Sequence, residues 1–305
     1  TPYLNEADKS DILWGIKNDI DLIAASFVNS KEDVQVLRKF IETNGGNMKI
    51  IAKIESQRGV NNLDEIVQSS DAIMVARGDL GVELPVEKLP EIQKRVIKKT
   101  REAGKSVMIA TEMLESMITN NRPTRAEVSD VANAVYDGTS AIMLSGETAS
   151  GKYPIESVKT MHKVALETEK NINYADRFNS EHFNLKNTTD VISHSAVDAS
   201  FQQPTKAIVV FTSAGLSAQM ISRLRPSVDI LGATPNEKTY RQLELRWGVR
   251  PVLTPVYNTT DEMFDIANKI VKDLGVAKAK DRIVVTCGVP KQNGCTNLIK
   301  IDIVK

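Results

Sequence analysis

Several features that would assign a function class are scarce in this sequence. Its 305 residues include only two cysteines, three histidines and two tryptophans. Two cysteines, Cys287 and Cys295, are too few for the disulfide framework of a small secreted protein, so we expect free thiols in a reducing compartment. The three histidines are scattered without metal-ligand spacing, which argues against a histidine-based metal centre.

An excess of charge and a long apolar run are also missing. The 39 Lys and Arg residues balance 39 Asp and Glu residues. This balance argues against nucleic acid or an anionic membrane surface as the main partner. No segment approaches the apolar length that crosses a bilayer. We expect a cytoplasmic protein with no nucleic-acid or membrane partner. Because the sequence does not begin with Met, we also expect a piece of a longer chain or a processed product.

The first part of the chain alternates helix-like and strand-like segments, which is typical of parallel strands joined by helical crossovers. Thr124 and Glu127 have the spacing of a capping box. A closed barrel of this class needs eight strands. Five are found, so residues 1–173 are predicted to be the last five units of a (β/α)8 TIM barrel, or else an unusual open sheet. Predicted helices cover residues 6–18, 31–44, 60–69, 86–103, 125–136 and 154–170, and predicted strands cover 21–28, 49–55, 72–79, 106–113 and 141–147.

A polar stretch, residues 172–185, is interpreted as a linker to a second domain. The α/β pattern that follows predicts a smaller, open, doubly wound layered domain over residues 174–305, with its last two strands paired as an antiparallel hairpin. Predicted helices there cover residues 189–201, 217–224, 237–244 and 261–273, and predicted strands cover 207–212, 229–233, 252–254, 282–287 and 298–304.

Polar side chains stand at the predicted strand ends of the first domain, where barrel enzymes place their chemistry. Lys53 and Glu55 are two residues apart, so on a strand both point to one face. Together with Asp79 after the next strand, they could hold a divalent metal and a phosphate-bearing anion. Ser26 alone is better explained as a structural strand-end residue. The remaining polar strand ends are Arg77 to Asp79, Thr111 with Glu112, and Ser145 with Glu147.

Two glycines, Gly78 and Gly81, follow the third predicted strand. They would allow close approach of the backbone to a ligand, and exposed peptide N–H groups there can bind a carboxylate or phosphate. The alternative is an ordinary tight turn carrying a surface pair of Arg77 and Asp79.

Five segments, taken together and in order, resemble the pyruvate kinase family. They are Ala-Lys-Ile-Glu at 52–55, Met-Val-Ala-Arg-Gly-Asp-Leu-Gly-Val-Glu at 74–83, Ala-Thr-Glu-Met-Leu-Glu-Ser-Met at 110–117, Arg-Pro-Thr-Arg-Ala-Glu at 122–127 and Met-Leu-Ser-Gly-Glu-Thr-Ala at 143–149. The resemblance implies phosphoryl transfer from phosphoenolpyruvate to ADP in glycolysis. It also implies Mg²⁺ or Mn²⁺, usually K⁺, an allosteric homotetramer, and a subunit contact near residues 122–136.

The resemblance also implies roles for individual residues. Glu55 and Asp79 would be the protein ligands of the divalent ion, and Lys53 would lie beside the transferring phosphoryl group and the enolate oxygen. The backbone N–H groups of Arg77, Gly78 and Asp79 would bind the substrate carboxylate. Thr111 would lie on the face where enolpyruvate is protonated. Ser145 and Glu147 would form a hydrogen-bonded relay.

The sequence departs from the family pattern by lacking the first three barrel strands and the lid domain. The family's nucleotide contacts, K⁺ ligands and phosphate-binding Arg come from that part. We therefore expect K⁺ to bind through residues outside this chain, and the chain alone to be inactive or nearly so.

In the second domain, the loop at 212–217 resembles the family's effector loop and offers a phosphate cradle of hydroxyl and N–H groups. Residues 289–296 resemble a second effector-facing loop. A phosphorylated effector and a plain helix cap are both open interpretations. The candidate effector-loop residues are Thr212, Ser213, Ala214, Gly215 and Ser217.

Two alternatives to a phosphotransferase stay open at this point. In the first, the chain acts as a non-catalytic fragment for subunit association and effector binding. Lys53 could instead be the Schiff-base nucleophile of an aldolase-type barrel, although neighbouring carboxylates favour its charged form over the amine that this chemistry needs.

Overall fold

A computed structural model describes residues 3–181, 183–290 and 295–305. The chain divides into two compact units, Thr1–Ile172 and Asn173–Lys305, and each is described by itself. Within the described residues, no helix has the length and apolar content that crossing a membrane requires.

The first unit alternates helices with short strands. The helices are α1 (Glu6–Lys17), α2 (Lys31–Thr43), α3 (Gln57–Asn61), α4 (Leu63–Ser69), α5 (Arg77–Glu83), α6 (Leu89–Glu102), α7 (Arg125–Asp137), α8 (Gly146–Ala149) and α9 (Pro154–Lys170). The strands are β1 (Leu22–Ala25), β2 (Lys49–Ile54), β3 (Ala72–Ala76), β4 (Ser106–Ala110) and β5 (Ala141–Met143), and short 3-10 helices span Val86–Lys88 and Glu115–Ile118.

The five strands form one parallel sheet in sequential order, β1-β2-β3-β4-β5. All five residues of β3 are buried, as expected for a strand covered on both faces. Ile50, Ile73 and Ile109 on successive strands are fully buried in one hydrophobic core with the helices. The order confirms the predicted run of strand–helix units. It also brings the carboxyl ends of β1 to β5 to the same edge of the sheet.

Local signals set the helix starts. Thr124 accepts a hydrogen bond from the Glu127 N–H, and the Glu127 side chain bonds back to the Thr124 backbone, so the predicted capping box is present at the start of α7. α7 ends at Gly138, whose φ of 92° is the left-handed conformation that suits glycine.

The predicted strands are too long at their carboxyl ends. β3 ends at Ala76, and residues 77–83 form the helix α5 instead of a glycine turn. Neither Gly78 nor Gly81 has a positive φ. Asp79 lies in the first turn of α5, where a carboxylate is favourable to the helix dipole. β5 likewise stops at Met143, and α8 begins at Gly146 after two intervening residues.

The second unit is built on one β-sheet, which is covered on both faces. Its helices are α10 (Tyr174–Ser180), α11 (Thr188–Gln202), α12 (Leu216–Arg223), α13 (Glu237–Leu243) and α14 (Thr260–Asp273). Its strands are β6 (Thr205–Phe211), β7 (Asp229–Thr234), β8 (Val249–Leu253), β9 (Arg282–Cys287) and β10 (Leu298–Ile303), in the order β10-β9-β6-β7-β8.

Alternate residues of the strands in this unit enter different cores. Val209 and Val285 lie in one hydrophobic cluster, and Ile208 and Val284 lie in another. β10 pairs antiparallel with β9, as predicted. The predicted linker is wrong in part, because residues 174–180 form α10 and bury Phe178. The polar composition concealed this helix, whose start is capped by Asn173.

Candidate active site

A buried ion pair lies at the carboxyl end of β2. Lys53 Nζ is 2.6 Å from Glu55 Oε1, and the two side chains are 22% and 0% exposed. The spacing of two residues places both on one face, as the sequence predicts. A carboxylate buried this deeply needs compensating charge or hydrogen bonds. Lys53 supplies the charge.

Residues that follow β1 contact both members of the pair. Lys53 Nζ donates a hydrogen bond of 2.9 Å to Ser26 Oγ, and the Phe27 N–H donates one of 2.6 Å to Glu55 Oε2. Sequence alone assigned no specific contact to Ser26 and did not select Phe27. The adjacency of β1 and β2 in the sheet brings these groups together.

The carboxylate of Glu55 keeps one oxygen suited to a cation. Within the described part of the chain, no donor makes a well-aligned hydrogen bond to the buried Oε1 atom, although Lys53 Nζ lies close to it. Asp79 is exposed in the first turn of α5, directly after the neighbouring strand β3. Among the described residues there is no group of three or more His, Cys, Asp or Glu side chains set to hold a metal. Mg²⁺ commonly takes one or two carboxylates and fills its other positions with water and substrate, so the oxygen chemistry of Glu55 and Asp79 is of the kind that this ion prefers.

The Arg77 guanidinium is held at the end of β4. It donates to the carbonyl oxygens of Thr111 at 2.8 Å and Glu112 at 2.9 Å, and it pairs with an Asp130 carboxylate oxygen at 2.6 Å. Thr111 and Glu112 have φ values of 69° and 54°, so two successive residues adopt the left-handed conformation. Arg77 thus ties the start of α5 to an unusual turn after β4.

Gly78 and Thr111 are directly bonded. The Gly78 N–H donates to Thr111 Oγ1 at 2.8 Å, and that hydroxyl donates to the Ala110 carbonyl at 2.6 Å. Two residues selected independently from the sequence therefore meet, with the Thr111 hydroxyl as the acceptor for the Gly78 amide.

Glu147 is fully buried and receives two backbone hydrogen bonds. Its Oε1 accepts from the Leu114 N–H at 2.9 Å, and its Oε2 accepts from the Ser145 N–H at 2.8 Å. Ser145 itself is exposed. The carboxylate joins the segments after β4 and β5, and both of these hydrogen bonds come from backbone N–H groups.

Two further carboxylates near the end of β4 have shifted pKa values. Burial raises the pKa of Glu115, and the negative charges of Glu147, Glu112 and Glu127 add to the effect. Burial also opposes ionisation of Glu127, yet hydrogen bonds from Ser116 and Thr124 outweigh it and lower the pKa of Glu127. The hydrogen-bond and charge partners of these two carboxylates lie far away in sequence or in an irregular turn, so sequence periodicity does not reveal them. The exception is Thr124, which the capping-box pattern identifies.

The candidate effector loop is internally hydrogen-bonded. The Gly215 N–H donates to Thr212 Oγ1 at 3.0 Å, and Gly215 precedes α12 with a φ of 88°. Ser217 Oγ hydrogen-bonds Thr296 Oγ1, and Ser213 offers its carbonyl to Thr239 Oγ1 at 2.8 Å. Ser213 and Ala214 are exposed. Residues 291–294 of the second candidate loop lie outside the described residues.

Comparison with known families shows to which family the chain belongs. The model of the pyruvate kinase barrel domain matches residues 1–158, and that of the pyruvate kinase alpha/beta domain matches residues 190–302. The chain belongs to the pyruvate kinase family. This confirms the resemblance seen in the sequence and the partial barrel with a layered α/β domain.

Curated pyruvate kinases match along the whole chain. The pyruvate kinase of Clostridium acetobutylicum is 46% identical over 308 residues, which cover 100% of this chain and 65% of the relative. That of Geobacillus stearothermophilus is 47% identical over 306 residues, which cover 99% of this chain and 52% of the relative. The chain therefore spans between about half and two thirds of the length of these pyruvate kinases.

Proposed function

We propose that the chain carries part of the active site of a cytoplasmic glycolytic enzyme that transfers a phosphoryl group from phosphoenolpyruvate to ADP, giving pyruvate and ATP. The observation that carries the proposal is the Lys53–Glu55 ion pair at the end of β2, in a chain of the pyruvate kinase family. The family and the ion pair favour this interpretation over Schiff-base chemistry at Lys53.

Glu55 and Asp79 are the proposed ligands of Mg²⁺ or Mn²⁺. Glu55 offers its buried Oε1 atom, which faces Lys53 Nζ at 2.6 Å and has no hydrogen-bond donor besides it among the described residues. The exposed carboxylate of Asp79 leaves room for water and substrate oxygens. When bound, the divalent ion supplies positive charge to the phosphoryl and enolate oxygens.

Lys53 is the proposed electrostatic catalyst. Its ammonium group is held by Glu55 and Ser26 in a fixed position. A preorganised cation stabilises the negative charge that develops on the bridging oxygen as the P–O bond breaks. The Ser26 contact orients the ammonium without neutralising it, because a hydroxyl carries no charge.

Gly78 and Thr111 are proposed to change partners when the substrate binds. In the structure the Gly78 N–H is bonded to the Thr111 hydroxyl. A substrate carboxylate is a stronger acceptor than a hydroxyl, so it would take over the amides of Gly78 and its neighbours. Thr111 would then face the enolate, on the side where the proton is added. Glu147 accepts hydrogen bonds from the Leu114 and Ser145 amides, and these bonds would hold the segment that carries Ser145 in position at the site.

The test is pyruvate formation from phosphoenolpyruvate and ADP by the full-length gene product with Lys53→Ala. We expect kcat to fall at least about a hundredfold, the loss typical of removing one preorganised electrostatic group. Lys49→Ala is the matched control, because Lys49 lies on the same face of β2 at its other end, and it should retain activity. Normal phosphoryl transfer by Lys53→Ala would contradict the proposal.

We propose that the loop at 212–217 binds a phosphorylated effector. Exposed Ser213 and the left-handed Gly215 before α12 support an anion cradle. The bonds of Thr212 and Ser217 within the unit would have to open or rearrange. Calorimetric titration with a sugar bisphosphate should show binding that Ser217→Ala weakens. No binding by the parent would leave only a helix cap, and equal binding by parent and variant would place the effector away from this loop.

We propose that the enzyme is a homotetramer and that β10 contributes to a subunit contact. Support comes from its place at the sheet edge and from Ile301 and Ile303, which are 47% and 56% exposed. Light scattering after size-exclusion chromatography should report a tetramer for the full-length gene product and smaller species for Ile301→Glu. A tetramer that Ile301→Glu leaves intact would remove β10 from the contact.

A further inference from the structure

We propose that the segment Ser26–Phe27 is the positioning element for the Lys53–Glu55 pair, and that the backbone conformation of Phe27, not its ring, sets the divalent-metal affinity. This inference rests on the proposed function, because it takes Glu55 as a metal ligand.

The two residues hold the two halves of the pair separately. Ser26 Oγ accepts from Lys53 Nζ at 2.9 Å, and the Phe27 N–H donates to Glu55 Oε2 at 2.6 Å. With Oε2 held by an amide, rotation of the carboxylate is restricted and Oε1 keeps its place beside Lys53. One short turn therefore orients both the cation and the carboxylate.

The backbone conformation that directs the Phe27 N–H toward Glu55 is unusual. Phe27 has a φ of 50°, which is uncommon for a bulky residue and marks a constrained position. The residue as a whole is 52% exposed, so burial of its side chain is a weak explanation for the conformation. The polar contacts of its backbone are the better explanation, and they point to the site.

Contacts on both sides hold the turn. Tyr3 donates its hydroxyl proton to the Ser26 carbonyl at 2.9 Å, and Asn29 Nδ2 donates to the Phe27 carbonyl at 2.9 Å. Asn29 in turn accepts from Ser56 Oγ, which caps α3 directly after Glu55. Burial raises the pKa of Tyr3 above its usual range, and the charges of Asp33, Asp8 and Glu55 add to this, so its hydroxyl stays a donor at neutral pH.

Groups that orient a metal ligand influence affinity without touching the metal. Replacing such a partner typically weakens metal binding by about 10- to 100-fold. If φ at position 27 is what matters, residues that accept the left-handed conformation should preserve affinity whatever their side chain. Glycine and asparagine accept it, and β-branched valine does not.

The experiment measures the Kd for Mn²⁺ of the full-length gene product, by electron paramagnetic resonance of the free ion. Phe27→Gly and Phe27→Asn should stay within about threefold of the parent, whereas Phe27→Val should bind at least about tenfold more weakly. Circular dichroism verifies folding of each variant. Tyr3→Phe supplies a milder variant that loses only the bond to the Ser26 carbonyl, and it should bind Mn²⁺ several-fold more weakly.

Equal weakening in all three Phe27 variants would assign the role to the ring, and parent-like affinity in Phe27→Val or in Tyr3→Phe would overturn the inference. Measuring pyruvate formation by the same samples tests the proposed function separately from the Mn²⁺ affinity. Mn²⁺ affinities in the expected order without phosphoryl transfer would refute the enzyme activity alone, and a parent that binds no Mn²⁺ would refute both.

Discussion

At the scale of single residues, buried charges join parts of the chain that are far apart in sequence. Glu147 lies 33 positions from Leu114, whose N–H it accepts. The sequence could select Glu147 as a polar residue after a strand. It could not reveal the two amide donors, because a backbone N–H donor does not depend on the type of residue that carries it. By contrast, Lys53 and Glu55 were predicted to share a face because strand periodicity is local.

Replacing Glu147 with Ala should destabilise the first unit. The change leaves the Leu114 and Ser145 N–H groups without their acceptor, and an unpaired buried donor costs about 1–3 kcal/mol. We expect a loss of about 2–4 kcal/mol in the free energy of unfolding, measured by urea denaturation. Glu42→Ala removes an exposed carboxylate at the end of α2 and should change stability by less than about 0.5 kcal/mol. A parent-like midpoint for Glu147→Ala would contradict this account of the buried contacts.

At the scale of elements, the sequence revealed α7, whose cap is local, but concealed α5, which follows a strand directly, and the short polar helix α10. The Thr124–Glu127 box placed the start of α7 correctly. α5 was missed because its two glycines favour a turn, although its backbone is helical at both. α10 was missed because a polar helix of seven residues lacks a long apolar face. Tertiary packing, through Phe178, supplies what local propensity does not.

Glu127 should make stability depend on pH. Hydrogen bonds from Ser116 and Thr124 outweigh burial and lower the pKa of Glu127, so the stabilisation is present above the unfolded-state pKa of about 4.3 and is lost as pH falls through the lower native pKa. Glu127→Gln should cost about 1–2 kcal/mol near pH 7 and much less near pH 3. Urea denaturation at both pH values measures the difference.

Glu115 provides a control of opposite sign. Burial, with the charges of Glu147, Glu112 and Glu127, raises the pKa of Glu115, so its contribution to stability decreases as pH rises above the unfolded-state value. Glu115→Gln should therefore be slightly stabilising near pH 7, with a small effect because Glu115 is only partly desolvated and remains largely exposed. A uniform, pH-independent loss in both variants would show that these charges do not control stability.

At the scale of the whole molecule, alternation of strands and helices was enough to predict the sequential parallel sheet and the hairpin at the end of the second sheet. The exact strand ends were not predictable, since the chain passes from β3 directly into α5 and from β5 into α8 after two residues. β1 and β5 are the edges of a five-stranded sheet, whereas a closed barrel of this class has eight strands.

The 305-residue chain by itself should therefore catalyse poorly. The site residues lie at the ends of five strands only, and misplacement of a reacting group by about 1 Å can cost about a hundredfold in rate. We expect pyruvate formation by the chain alone to be at least about a hundredfold slower than by the full-length gene product, in the presence of Mg²⁺ and K⁺. Comparable turnover numbers would show that these five strands assemble a working site.

The proposed role of the buried Glu55 carboxylate is to bind the divalent ion on which phosphoryl transfer depends. The most direct test is Mg²⁺-dependent pyruvate formation by the full-length gene product with Glu55→Gln, which keeps the shape and the acceptor for the Phe27 N–H but removes the charge. Glu42→Gln is the control. We expect Glu55→Gln to lower kcat/KM at least about a hundredfold and to raise the Mg²⁺ concentration needed for half-maximal rate. Parent-like kcat/KM and Mg²⁺ dependence in Glu55→Gln would contradict it.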